Sequence, residues 1–178
     1  LDVLERCLRA MRAVWYPHDV WVLDEGDAPQ VRALCQHLGA QHFTRHGRAE
    51  WQTSGGQFPV KTKAGNLNAW HAAHGTAYDV VAQMDVDYVC RPDLLEKTLG
   101  YFRDPRVAFV GGPQIYGNSQ ASFVAQGAAQ QGFLFAGAMQ MATYGKGFNL
   151  FIGTVHIVRT AALRSIGGYA AHIVEDHL

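Results

Sequence analysis

The chain has 178 residues, of which 48% are hydrophobic and 17% charged. That is enough apolar material for one domain with its own core, and too little charge for a disordered chain. Fifteen basic residues balance fifteen acidic ones, so no basic excess exists to hold a nucleic acid, and any binding has to come from a local site.

Helix and strand patterns alternate along the chain. Residues 1–14 place Leu4, Leu8 and Met11 on one face, as a helix does. Residues 19–24 form a short apolar run ending in Asp24, followed by Glu25 and Gly26; this reads as a buried strand with carboxylates at its C-terminal end. Residues 29–38 read as a helix closed by Gly39, and 41–44 as a second strand. Residues 45–61 contain Gly47, Ser54, Gly55, Gly56 and Pro59 with little periodicity. This segment is predicted to be a mobile loop, because its glycines permit many backbone states and no apolar face anchors it.

Helical spacing resumes over 63–74, and 78–85 is the next strand, again ending in acid. Pro92 and Asp93 open a helix to 102, and a strand over 107–110 is broken by Gly111, Gly112 and Pro113. Residues 119–143 are Ala- and Gln-rich and helical in pattern, with 133–141 expected in a core or interface. Residues 148–159 look extended, and a short helix over 160–166 ends at Gly167 and Gly168. This alternation predicts an α/β fold, with a mainly parallel sheet and helices on both faces. Ligands bind such sheets at the C-terminal strand ends, where Asp24 and Asp85 fall.

Three constellations carry chemistry. In Met84-Asp85-Val86-Asp87, residues two apart on an extended chain point the same way, so two carboxylates converge and invite Mg²⁺ or Mn²⁺ together with phosphate oxygens. The competing reading is a solvated acidic turn. Lys61, Lys63, Gly65 and Asn66 open a helix, whose free N–H groups and dipole favour an anion, with Gly65 permitting close approach. The competing reading is an ordinary capped helix with exposed lysines. Glu175, Asp176 and His177 set a carboxylate beside an imidazole, as a general base requires, or form an acidic surface turn. His71 and His74 are three apart on a helix, but no third zinc ligand has the usual spacing. Cys7, Cys35 and Cys90 have no metal spacing either and read as reduced thiols of a cytosolic protein. The most apolar stretch, 133–142, is shorter than the ~20 residues a membrane span needs.

Seven short motifs follow one another: Val22-Leu-Asp24-Glu25-Gly26, Lys63-Ala-Gly-Asn66-Leu-Asn68, Asp85-Val-Asp87, Gly112-Pro-Gln114, Phe151-Ile-Gly-Thr154, Gly167-Gly168-Tyr169 and Glu175-Asp176. In this order and spacing the chain resembles the family 2 glycosyltransferases, most of all their cellulose synthase-like, processive branch. The resemblance implies a GT-A (Rossmann-like) catalytic core over 1–178. It implies inverting transfer of a sugar from a nucleotide-diphosphate sugar, with UDP the expected nucleotide, to a glycan or other hydroxyl acceptor, forming a β-glycosidic bond. Asp24 would then lie by the base, with Glu25 in the place of the family's usual second aspartate. Lys63 would lie near the diphosphate, and Asp85 would contact the nucleotide-sugar. Asp87 would ligate Mg²⁺ or Mn²⁺, and Asp176 would be the catalytic base. Asn66, Glu175 and His177 are secondary candidates.

The family also has a strand before these motifs and a Gln-x-x-Arg-Trp motif after them. The resemblance therefore implies an excerpt of a protein held at the cytoplasmic face of a membrane by segments outside it. Two other readings stay open: a nucleotide-sugar-binding module without transfer activity, and a nucleotidyltransferase, which would release pyrophosphate in place of a nucleoside diphosphate.

Overall fold

The structure is a computed structural model and describes residues 1–148, 150–151 and 155–171. The elements run α1 (Asp2–Arg12), β1 (Trp21–Leu23), α2 (Pro29–Leu38), β2 (Gln41–Phe43), α3 (Lys63–His74), β3 (Val80–Met84), α4 (Leu94–Thr98), β4 (Phe109–Gly111), α5 (Phe123–Leu134), α6 (Gln140–Gly145), β5 (Val155–Arg159) and α7 (Thr160–Ser165). Local chemistry accounts for several ends. Pro29 opens α2, where its missing N–H costs nothing. Gly39 closes α2 at φ 67°, a left-handed conformation that a side chain disfavours, and the Ala40 N–H returns to the Cys35 carbonyl at 2.9 Å. Thr62 caps α3 by accepting from the Gly65 N–H at 3.1 Å.

The α/β class expected from the sequence is the class observed. β1 and β2 pair in parallel, Trp21 opposite Gln41, across the α2 crossover. The expectation of a mainly parallel sheet needs correction, because β5 lies antiparallel between β3 and β4. The connection explains this. A parallel crossover must carry the chain back to the start of the preceding strand. Here the excursion through α5, a π-helical turn over Phe135–Met139 and α6 returns at the finishing end of β3 and β4, so Val155 pairs with Met84 and His156 with Gly111.

Three apolar clusters hold the domain. Leu8 and Met11 of α1 pack with Val22 of β1 and Leu34, Cys35 and Leu38 of α2. Phe43, Ala69 and Trp70 collect Trp51 and Phe58. Leu67, Val158, Leu163 and Tyr169 join α3 to β5 and α7. Helix α3 touches the last two clusters and is buried without a break from Ala64 to His71. Of the core and interface expected for residues 133–141, the core is not where Phe133, Leu134 and Met139 lie: they are exposed, on a segment with no Asp, Glu, Lys or Arg between Arg106 and Lys146. No helix among the described residues is long and apolar enough to cross a membrane.

Candidate active site

The C-terminal ends of β1 and β3 and the N-terminus of α3 border one cleft of about 1430 Å³, to which they contribute Leu23, Lys63, Asn66, Gln83 and Asp85. Lys63 Nζ donates to Asp85 Oδ1 at 2.6 Å. The first residue of the helix and the first residue beyond the strand are thus joined, although 22 positions separate them. Gln83 Nε2 lies 3.4 Å from the same Asp85 oxygen.

The Asp85-Val86-Asp87 motif is not the extended segment expected. β3 stops at Met84, and the Tyr88 N–H donates to the Asp85 carbonyl at 3.1 Å, so the motif is a turn. Asp87 is exposed on that turn, while Asp85 is half-buried against Lys63. Alternation ends with the strand, so its geometry does not carry over to residue 87.

Asp24 turns into its own loop. It accepts from the Gly26 N–H at 3.1 Å and the Ala28 N–H at 2.7 Å, and lies 3.2 Å from His42 Nε2. Its carboxylate therefore shapes the entry to α2. Glu25 accepts a fork from Arg45 Nε and Nη2 at 2.7 and 2.8 Å, and the Lys61 N–H at 3.2 Å. Asn66 donates to the Leu23 carbonyl at 3.3 Å, which ties α3 to the end of β1. Glu175, Asp176 and His177 lie outside the described residues. The chain that leads toward them is anchored: Asn68 donates to the Tyr169 carbonyl and accepts the Tyr169 N–H at 2.9 and 2.8 Å, and Tyr169 Oη meets His156 Nε2 at 2.8 Å.

Gly65 has a different task from the one expected. A Cβ there would lie 2.3 Å from the Pro59 carbonyl oxygen and 2.7 Å from Arg45 Nη1, so the glycine admits the 45–61 segment against α3. Arg45 was not legible in the sequence. A single arginine after a short strand carries no local sign that it will be buried.

Among the described residues the histidine pair finds no third ligand for a metal, and no three His, Cys, Asp or Glu side chains gather as ligands. His71 is buried, both ring nitrogens lack partners among the described residues, and burial pushes its pKa down to about 4. His74 lies against Trp21 with ring centroids 4.4 Å apart. For the divalent cation that the motif implies, the structure offers one open carboxylate, Asp87, and one engaged by an ammonium, Asp85. That fits a Mg²⁺- or Mn²⁺-type ion that takes one or two protein carboxylates and completes its shell with phosphate oxygens and water. Behind the turn, Cys7 lies 3.9 Å from the Asp85 carbonyl, and its thiol is raised to about 11, first by burial and then by Cys90 and Asp87.

Lys63 and Asp85 thus meet at the strand ends of an α/β domain, where ligands bind in such folds. The profile of "Glycosyl transferase family 2" matches residues 1–167, and the chain belongs to that family. It is 26% identical over 162 residues to the cellulose synthase catalytic subunit [UDP-forming] of Xanthomonas axonopodis pv. citri, covering 88% of this chain and 20% of that protein. It is 29% identical over 172 residues to cellulose synthase 1 of Komagataeibacter xylinus, covering 91% of this chain and 10% of that protein. The chain thus spans a tenth to a fifth of these relatives' length. In fold it resembles glucosyl-3-phosphoglycerate synthase from Mycobacterium tuberculosis, solved with Mn²⁺, UDP and glucosyl-3-phosphoglycerate. The TM-score is 0.56 at 17% identity, over 97% of this chain and 58% of that one, and this shows the GT-A fold.

Proposed function

We propose that this domain moves a sugar from a UDP-sugar to a hydroxyl of a growing glycan, with inversion at the anomeric carbon. The observation that carries the reading is the Lys63–Asp85 contact at the N-terminus of α3, beside the exposed Asp87. A diphosphate placed there meets the Lys63 ammonium and the positive end of the α3 dipole. Asp87 would hold Mg²⁺ or Mn²⁺, which when bound offsets the charge of the diphosphate leaving group. Asp24, Glu25 and Asp85 line the donor side, and Asn66 keeps the helix start against the strand end. Asp176, flanked by Glu175 and His177, takes the proton of the acceptor hydroxyl. Such base assistance contributes roughly 10²–10⁴-fold in rate. A single displacement from the opposite face converts an α-linked donor into a β-linked product. Location at the cytoplasmic face of a membrane belongs to this proposal for the longer protein.

The test is release of UDP from UDP-sugars in the presence of glycan acceptors, by a protein long enough to carry the acceptor site. UDP binding is titrated by calorimetry alongside. Asp176→Asn is expected to bind the donor as wild type does and to release almost no UDP. Asp87→Ala is expected to lose stimulation by Mg²⁺ or Mn²⁺. Full activity of either variant would remove that residue from its role. Pyrophosphate as the product would assign a nucleotidyltransferase, and donor binding without UDP release would assign a binding module.

A further inference from the structure

Arg45 is 0% exposed and is the largest side chain buried to that degree among the described residues. A buried guanidinium is costly unless each N–H finds an acceptor, and here all five do. Nε and Nη2 fork onto the Glu25 carboxylate. Nη1 donates to the carbonyls of Trp51 at 2.9 Å and Phe58 at 3.2 Å. Nη2 also donates to the carbonyls of Pro59 at 3.0 Å and Thr62 at 3.4 Å. These acceptors belong to three separate parts of the molecule. Glu25 follows β1, Trp51 to Pro59 belong to the 45–61 segment, and Thr62 caps α3 directly before Lys63. Gly65 completes the fit, because its missing side chain leaves the space that Nη1 and the Pro59 carbonyl fill.

We infer that Arg45 is a positioning residue for the diphosphate-binding surface. It fixes the acid at the end of β1 and the start of α3, and through them Lys63, in one rigid arrangement. This rests on the donor-site reading above. Arg45 is buried while Glu25 keeps 36% of its side chain exposed, and the best-attested use of an ion pair with so desolvated a member is to select one arrangement among several. A lysine at position 45 keeps the charge but cannot fork onto Glu25 while also reaching four carbonyls. The start of α3 is then free to shift relative to Glu25, and donor affinity falls without loss of any group that touches the donor.

The experiment compares wild type, Arg45→Lys, Glu25→Gln and the double variant. UDP affinity is measured by calorimetry and thermal stability on the same samples. Arg45→Lys is expected to bind UDP about tenfold more weakly, since small misplacements at a reacting site have effects of that order or larger. In transfer assays its donor KM should rise while kcat changes little. The double variant should be weakened by less than the two single effects combined, because both substitutions break the Arg45–Glu25 contact. Arg45→Ala should regain affinity with millimolar guanidinium, which fits the vacated space, and not with ammonium.

Wild-type UDP affinity in a folded Arg45→Lys protein would overturn the inference and leave the donor site standing. If Arg45→Lys does not fold, Arg45→Ala in guanidinium decides. Affinity that tracks only the folded fraction as guanidinium is withdrawn would make the arginine a support of the fold alone. Absence of UDP binding by wild type would remove the donor reading and this inference together.

Discussion

Lys63 and Asp85 are each about a third exposed, at 37% and 32% of their side-chain surfaces. An ion pair so open to water contributes roughly 0–1 kcal/mol to stability, so under the proposed function Lys63 serves binding and adds little to folding. Lys63→Ala is therefore expected to weaken UDP binding about tenfold while the melting temperature moves by no more than a surface pair accounts for. A fall in melting temperature with unchanged affinity would reverse that assignment. His71 behaves in the opposite way, because burial disfavours its charged form and lowers its pKa from 6.5 to about 4. Between those two values the unfolded chain binds more protons than the folded one, so stability rises with pH. The contribution is complete above pH 6.5 and fades as pH falls toward 4, amounting to as much as ~3 kcal/mol. Urea melts at pH 7 and pH 5 should show about 2 kcal/mol of this loss in wild type, since pH 5 lies within the window, and a smaller one in His71→Leu. Equal losses in both proteins would place the pH dependence on other groups.

At the scale of elements, α3 decides the most. Its start holds Lys63 and Asn66, its middle is buried on every side, and Asn68 grips Tyr169 on the way to the C-terminal acids. Gly65→Ala would ordinarily strengthen a helix, but here the added Cβ meets the backbone carbonyl of Pro59 at 2.3 Å. The expected outcome is a net loss of about 2 kcal/mol in denaturant melts. The 45–61 segment, predicted to be mobile for want of an apolar anchor, has one after all: Trp51 and Phe58 pack on the Phe43–Trp70 cluster. Its tip is also closed by an isolated parallel bridge between Thr53 and Pro59, with the Thr53 N–H donating to the Phe58 carbonyl at 3.1 Å and the Val60 N–H to the Thr53 carbonyl at 3.0 Å. Hydrogen exchange should be slow at Thr53 and Val60 and fast at Gly55 and Gly56. Uniformly fast exchange from 46 to 61 would restore the mobile-loop expectation.

Across the whole molecule, the β1–β2 pair and the β3–β5–β4 sheet stand apart, and both border the large cleft. Six buried side-chain atoms lack partners among the described residues, on Asn66, Trp70, His71, Gln83 and Thr160, and all five residues line that cleft. Trp70 links its two sides, packing on Trp21 of β1 and on Tyr78 before β3 at 5.8 and 5.7 Å between centroids. Trp70→Ala is expected to cost about 3–5 kcal/mol, a large fraction of a domain's stability. Trp70→Phe should cost far less, since the indole N–H it removes has no partner. Comparable losses in the two variants, read from thermal melts, would show that ring packing across the cleft is not what Trp70 supplies.

The sequence by itself determined whatever depends on neighbours along the chain. Pro29, Gly39 and the helical spacing bounded α2 at 29–38, and the same reasoning placed α3 at 63–74, because caps and periodicity act within a turn or two. The ordered motifs also made the family legible, since each is a few contiguous residues. Only the tertiary structure decided how those pieces face one another. It reversed β5 because the α5–α6 excursion returns at the same end of the sheet. It closed Asp85 onto Lys63, left Asp87 outside on a turn, and put Gly65 to work against Pro59. It also buried Arg45 among acceptors up to 20 positions away in sequence. These contacts join residues that no local pattern couples, and they form only when packing has brought the separate elements together.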